Sequence, residues 1–279
     1  MKRILQDFIY RDEARVLKKM ELIAKEGAEK LHFLLDFDRT LTPSDNRSGH
    51  DATTWGILES HLPEDGIEEI KKLYEKYRPL EIQNKMTAQQ ATEWWEGSLE
   101  VCKNSGTKWS DIAKDVDTKM PIRPYAREFF SVCEKRGIPA IIISAGIRDI
   151  IELWFQKFDI RPAGLLSTNL FFDENGLISG WEKDSLVHTL NKNEVAHKEL
   201  GGMRKSRPNI ILMGDSLDDA SMASGEDNVL RIIIDDPRKG EVRNGSFYDS
   251  VFQKFDLAIK GESLEPLMRI FDLFNKTAR

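Results

Sequence analysis

The sequence of 279 residues predicts an α/β fold, in which a parallel sheet flanked by helices is interrupted by an inserted helical module and carries one β-hairpin. Three observations carry that expectation. Short apolar runs rich in β-branched residues alternate with segments of helical periodicity, the pattern of a parallel sheet with crossover helices. The stretch 43–120 lacks such runs and shows helical spacing. Several apolar runs also end in acidic or hydroxyl residues, as strands do when their carboxyl ends carry a site.

The elements follow in order. Ile4, Phe8, Ile9, Val16, Met20, Leu22 and Ile23, spaced among charges, predict an amphipathic helix within 3–30 that stops near Gly27. Leu31 to Phe37 reads as the first strand. Ile67, Ile70, Leu73, Tyr74 and Tyr77 then recur at helical spacing, which makes 43–120 a helical module inserted into a core of 1–42 and 121–279. In the core, Ala126 to Arg136 reads as a helix stopped by Gly137, Ile138 to Ser144 as a buried strand, and Ile147 to Phe158 as the next helix. Leu165 to Phe172 and Leu177 to Trp181 flank an Asn-Gly turn and read as a hairpin. Asn209 to Met213 and Leu230 to Ile234 complete a Rossmann-like sheet.

Composition narrows the function classes. Hydrophobic residues make up 40% and charged residues 32%, as in a globular protein with a well-charged surface. The net charge of −6 and pI near 5.6 give no basic footprint for nucleic acid, so a small anionic substrate would need local cations. Cys102 and Cys133 fall in unrelated helical segments, which suits a reducing compartment. Charges at Asp7, Arg11, Asp12, Glu13 and Arg15 interrupt any signal-peptide core, and no run reaches membrane-spanning length. The expectation is a cytoplasmic monomer with a small-molecule partner and neither nucleic acid nor membrane.

The chemistry begins in Asp36-Phe37-Asp38-Arg39-Thr40. Side chains alternate along a strand, so Asp36 and Asp38 share one face while Phe37 enters the interior. Two adjacent carboxylates repel unless a cation lies between them, and hard oxygen ligands suit Mg²⁺. Ser144, with the N–H groups of Ala145 and Gly146 at an expected helix start, could hold phosphate oxygens, although a Ser there is more often an ordinary N-cap. Gly214-Asp215-Ser216-Leu217-Asp218-Asp219 places Asp215 and Asp219 after a further strand, on the same sheet edge as Asp36 and Asp38. Phosphate chemistry also needs a cation, and Lys192 is one candidate among many lysines.

These four segments, in this order, resemble the motifs of the haloacid dehalogenase superfamily of phosphotransferases, in its C1-capped members. Gly27 to Leu31, Ser144-Ala145-Gly146-Ile147-Arg148-Asp149, Ser167-Thr168-Asn169-Leu170, Asn191-Lys192 and Gly214-Asp215-Ser216 are similar to the cytosolic pyrimidine 5′-nucleotidase family (cytosolic 5′-nucleotidase III), which has a branch preferring 7-methylguanosine monophosphate. The likeness covers nearly the whole chain and is weakest over 43–64.

The resemblance implies a Mg²⁺-dependent nucleoside 5′-monophosphate phosphatase. It makes Asp36 the nucleophile that forms an aspartyl-phosphate, and Asp38 the acid and base that offers the metal only its backbone carbonyl. Asp215 completes the metal ligands and Asp219 supports the metal's water shell. Ser144 and Ala145 bind the phosphoryl group and Lys192 neutralises it. Glu81 and Trp95 contact the base, and an indole there suits a cationic methylated purine. Transfer to a second nucleoside is a possible side reaction. Arg39 departs from the motif without an assigned role. The alternatives are a phosphatase for another small monoester such as phosphoserine, and a non-catalytic binding protein of the same fold.

Overall fold

A computed structural model describes residues 1–45, 51–237 and 243–274. Eight strands are described: β1 (Leu31–Leu35), β2 (Ala140–Ile147), β3 (Gly164–Thr168), β4 (Leu170–Phe172), β5 (Ile178–Trp181), β6 (Asn209–Gly214), β7 (Val229–Asp235) and β8 (Leu257–Lys260). Six form one parallel sheet in the order β3-β2-β1-β6-β7-β8. The chain runs outward from β1 through β2 to β3, then returns to build β6, β7 and β8 on the other side. The carboxyl end of β1 is therefore a topological switch point, where open α/β sheets bind ligands.

Both faces are covered, so the strands are continuously apolar. Phe33 and Leu35 point to one side, with Val16, Met20 and Ile23 of α1 (Glu13–Glu26), Phe129 and Cys133 of α6 (Ala126–Arg136), and Trp154 of α7 (Arg148–Phe158). Leu34 points to the other, with Ala196 and Leu200 of α8 (Lys192–Ser206) and Val251 of α9 (Gly245–Lys254). The inserted segment is helical as expected: α2 (Thr54–Glu59), α3 (Glu64–Ile82), α4 (Ala88–Asn104) and α5 (Trp109–Lys119). Its apolar stripe is narrower than its spacing suggests, because Tyr77 is buried while Ile67 and Tyr74 are exposed.

Several boundaries differ from the sequence reading. The first helix begins only at Glu13, because Asp12 caps it by accepting from the Arg15 amide at 2.9 Å. Residues 165–168, expected in the hairpin, instead pair in parallel with β2 as part of β3, and only β4 and β5 form the hairpin. The turn is wider than a two-residue one: Asp173 Oδ1 accepts from the amides of Asn175 and Leu177, and Gly176 alone takes positive φ. Strand β8, which the sequence reading missed, pairs with β7 and touches the N-terminal segment through the Ile9–Ala258 bridge. Among the described residues, no helix is long and apolar enough to cross a membrane.

One core residue gives the fold an acid sensitivity. His32 of β1 is fully buried; Nδ1 donates to the Arg207 carbonyl at 2.8 Å, while Nε2 is buried without a partner. Burial pushes its pKa down from 6.5 to about 4, with Arg204 and Arg207 adding repulsion against the opposing bond to Arg207. The unfolded chain therefore binds the proton first, and stability is lost as pH falls from the unfolded value towards the folded one. Relative to a His32→Asn variant, the wild type should lose about 2 kcal/mol of unfolding free energy between about pH 7.5 and pH 5. Urea melts of both proteins at the two pH values measure this, and a pH-independent difference would refute it.

Candidate active site

The sheet brings three motif ends together. Asp36 follows β1, with its amide donating to the Met213 carbonyl of β6 at 2.9 Å. Ser144 lies in β2 on one side, and Asp215 follows β6 on the other. Carboxylate oxygens of Asp36, Asp215 and Asp219 lie within 4.8 Å of one another. Lys192, the first residue of α8, reaches this group, with Nζ at 2.5 Å from Asp36 Oδ1 and 2.7 Å from Asp219 Oδ1. The candidate lysine of the sequence is thus the buried cation of the cluster, only 4% exposed.

The electrostatics are those of crowded anions. Burial pushes Asp36 up to about 6, with Asp219 adding repulsion and Lys192 opposing it. Burial also holds Asp215 well above the usual carboxylate range, with Asp36 and Asp219 reinforcing the shift. Burial alone would lower Lys192, but Asp219 and Asp36 outweigh it and keep the ammonium charged. Three oxygen donors with one compensating lysine fit a hard divalent cation.

Asp38 stands apart from this cluster. Its Oδ1 accepts from the Thr54 amide at 2.8 Å and its Oδ2 from the Thr54 hydroxyl at 2.7 Å. Its carboxylate is thus held at the start of α2, apart from the three carboxylates that could hold a metal. Burial pushes it up to about 7, with Asp36 reinforcing the shift against the Thr54 bonds. Gly146 is required here, because a Cβ would lie 2.1 Å from Thr54 Oγ1 and 2.8 Å from Asp38 Oδ2. Gly214 is required likewise: a Cβ would come within 2.4 Å of Asp219 Cβ.

The loop after β1 is pinned by a buried arginine. Arg123, fully buried, donates to the carbonyls of Arg39 at 2.7 Å and Thr42 at 3.0 Å, and pairs with Asp236 at 2.9 Å. Arg39 sits at φ 61° in the left-handed region, and its guanidinium pairs with Asp51 at 2.9 Å. The unassigned arginine of the motif thus ties the loop after β1 to the lead-in of α2.

The phosphate-loop expectation needs correction. Strand β2 continues to Ile147 and α7 begins at Arg148, so Ala145 and Gly146 are extended and do not open a helix. The Gly146 amide donates to Ser144 Oγ at 3.0 Å, which leaves the Ser144 hydroxyl proton free to point into the cavity. The Ala145 carbonyl accepts from the indoles of Trp55 at 3.0 Å and Trp95 at 2.9 Å.

A cavity of about 570 Å³ opens over these groups and continues to Trp55, Glu59, Arg78, Glu81 and Trp95 of the helical segment. Trp95 is largely buried, edge-on to Trp55 with centroids 6.4 Å apart, whereas Trp94 stacks on Tyr77. All nine residues singled out from the sequence line this one cavity. Thr54, Trp55, Arg78 and Thr189 were missed. The Thr53-Thr54 pair signals a helix start, but no sequence pattern aims it at a carboxylate 16 positions away.

This fold and site define a phosphohydrolase of the haloacid dehalogenase type. A phosphoserine phosphatase with bound substrate shares the fold alone, at a TM-score of 0.58 and 17% identity over 86% of this chain and 97% of that one. Residues 39–262 match the model of the pyrimidine 5′-nucleotidase (UMPH-1) family, and the chain belongs to that family. It is 31% identical over 239 residues to the 7-methylguanosine phosphate-specific 5′-nucleotidase A of Xenopus laevis, covering 80% of each. The crystal structure of cytosolic 5′-nucleotidase IIIB bound to cytidine superposes with a TM-score of 0.80 at 28% identity, covering 97% of this chain and 94% of that one.

Proposed function

We propose that the chain is a Mg²⁺-dependent 5′-nucleotidase that hydrolyses pyrimidine nucleoside monophosphates and 7-methylguanosine monophosphate through an aspartyl-phosphate at Asp36. One observation carries the reading: a single cavity joins the Asp36, Asp215, Asp219 and Lys192 cluster to Trp95 and Glu81. Residues 43–120 act as a cap over the core, with 1–42 and 121–279 as the catalytic domain. We also propose a cytoplasmic monomer.

Asp36, Asp215 and Asp219, with the Asp38 carbonyl, would hold the cation, which supplies charge to offset Asp36 and the phosphoryl oxygens. Asp36 attacks phosphorus as its bond to the 5′ oxygen breaks, and Asp38 gives that oxygen its proton. Asp38 then takes a proton from water, which attacks the phosphorus of the acyl phosphate and returns free Asp36. Lys192 and the Ser144 hydroxyl bind the phosphoryl oxygens through both steps. Glu81 accepts N–H groups of the base, and Trp95 stacks on it.

The test is steady-state kinetics with Mg²⁺ on CMP, UMP, 7-methyl-GMP, GMP, AMP and phosphoserine. Phosphoserine preferred over every nucleotide would sink the reading, and no phosphate release from any monoester would leave a binding protein. Trp95→Ala should raise KM for the preferred nucleotides about tenfold or more, the scale of one base stacked on an aromatic ring. Unchanged KM values would remove Trp95 from the base site.

A further inference from the structure

We propose that Arg78 sets how this site weighs the charge of the base, disfavouring a cationic 7-methylguanine against a neutral pyrimidine. The inference rests on the reading of Glu81 and Trp95 as the base site. Arg78 and Glu81 lie three residues apart on α3, flanking Pro79, and Arg78 Nη1 pairs with Glu81 Oε2. The other carboxylate oxygen, Oε1, accepts from Thr189 Oγ1 at 3.3 Å, out of the core loop that leads into Lys192. Glu81 is 9% exposed and Arg78 43%, and both line the cavity beside Trp55 and Trp95.

Bonded from the helix by Arg78 and from the core by Thr189, the carboxylate is paired with the guanidinium. An arriving base meets an ion pair in place of a free anion. Recognition of a neutral base survives, because a carboxylate has about four acceptor positions and these two partners use two. The attraction for a positively charged ring is what the pair cancels. Trp95 acts in the opposite sense, since an indole face attracts a cation. Arg78 is thus a brake on a pocket whose aromatic wall favours methylated purine. One unit charge at the distance of a contacting base, partly screened by water, shifts relative binding about tenfold.

The experiment measures kcat/KM for 7-methyl-GMP and CMP in the wild type, Arg78→Gln and Arg78→Lys at low ionic strength. Arg78→Gln should raise the ratio of 7-methyl-GMP to CMP about tenfold, through KM more than kcat, and added salt should shrink that gain. Arg78→Lys keeps the charge and should leave the ratio within about twofold of wild type. An unchanged ratio in Arg78→Gln overturns the proposal. Equal changes in both variants also overturn it, because Arg78 would then be a brace for Glu81 and not a charge sensor. Hydrolysis of another monoester with neither nucleotide accepted overturns the nucleotidase reading, and this inference with it.

Discussion

Asp36→Asn is expected to lower phosphate release by about 10⁴-fold or more, since a group acting as one member of a catalytic unit typically carries losses of that order. An amide is too weak a nucleophile to form the acyl phosphate, so rapid-quench trapping of a phosphorylated chain should fail as well. Stability should respond in the other direction. Asp36, Asp215 and Asp219 crowd their carboxylates within 4.8 Å, with Lys192 as the cation bonded among them. Asp36 is raised to about 6 by burial first and by Asp219 second, so its folded pKa lies above its unfolded one. Its ionisation then costs stability above that pH, and the cost disappears below the unfolded value. Asparagine removes the charge while its carbonyl can still accept from Thr40, whose hydroxyl is 3.1 Å from Asp36 Oδ2. In EDTA at neutral pH the variant should match the wild type or gain up to about 3 kcal/mol. With Mg²⁺ present that advantage should vanish, because the wild type then gains a ligand that the variant binds more weakly. More than about 1% residual turnover would remove Asp36 from the nucleophile position.

The legible part of this molecule was the part written in neighbouring residues. Strand β1 and the DxDxT run that follows it give the strand-end carboxylate Asp36, which the structure places in the acidic cluster, and the interior role of Phe37, which it bears out with a ring fully buried against Trp154. The family resemblance then supplied Lys192, which periodicity alone could not pick from a lysine-rich surface. What stayed hidden depends on distant chain segments meeting. Strand β8 is four residues long and owes its place to β7 and Ile9, not to a pattern of its own. Arg123 resembles any charged residue before a proline, yet it is buried because the loop carbonyls after Asp36 need a donor. The grip of Thr54 on Asp38 is invisible for the same reason. Ala145 and Gly146, a small-residue pair after an apolar run, suggest a helix start, but Thr168 extends the β2 ladder to Ile147.

Lys192→Met should produce the second-largest effect, and metal should reveal its cause. Met fills much of the stem volume without the charge, so the loss is electrostatic more than steric. In the wild type the ammonium lies 2.5 Å from Asp36 and 2.7 Å from Asp219 in a site it shares with Asp215. Removing one partner of such a buried group typically costs about 3 to 5 kcal/mol, most of it from charges left without compensation. In EDTA near pH 8 the variant should therefore melt well below the wild type. Mg²⁺ should recover more melting temperature in Lys192→Met than in wild type, because the cation takes over part of the lysine's task. Catalysis should not recover with it. In the proposed reaction the ammonium also faces the oxygens on which charge develops, and losing one such preorganised donor costs about 10² to 10³ in kcat. Stability restored by metal while kcat stays low would separate the two roles of one side chain. A variant with unchanged melting in EDTA would show that Lys192 does not offset the acids, and an unchanged kcat would take it out of the reaction.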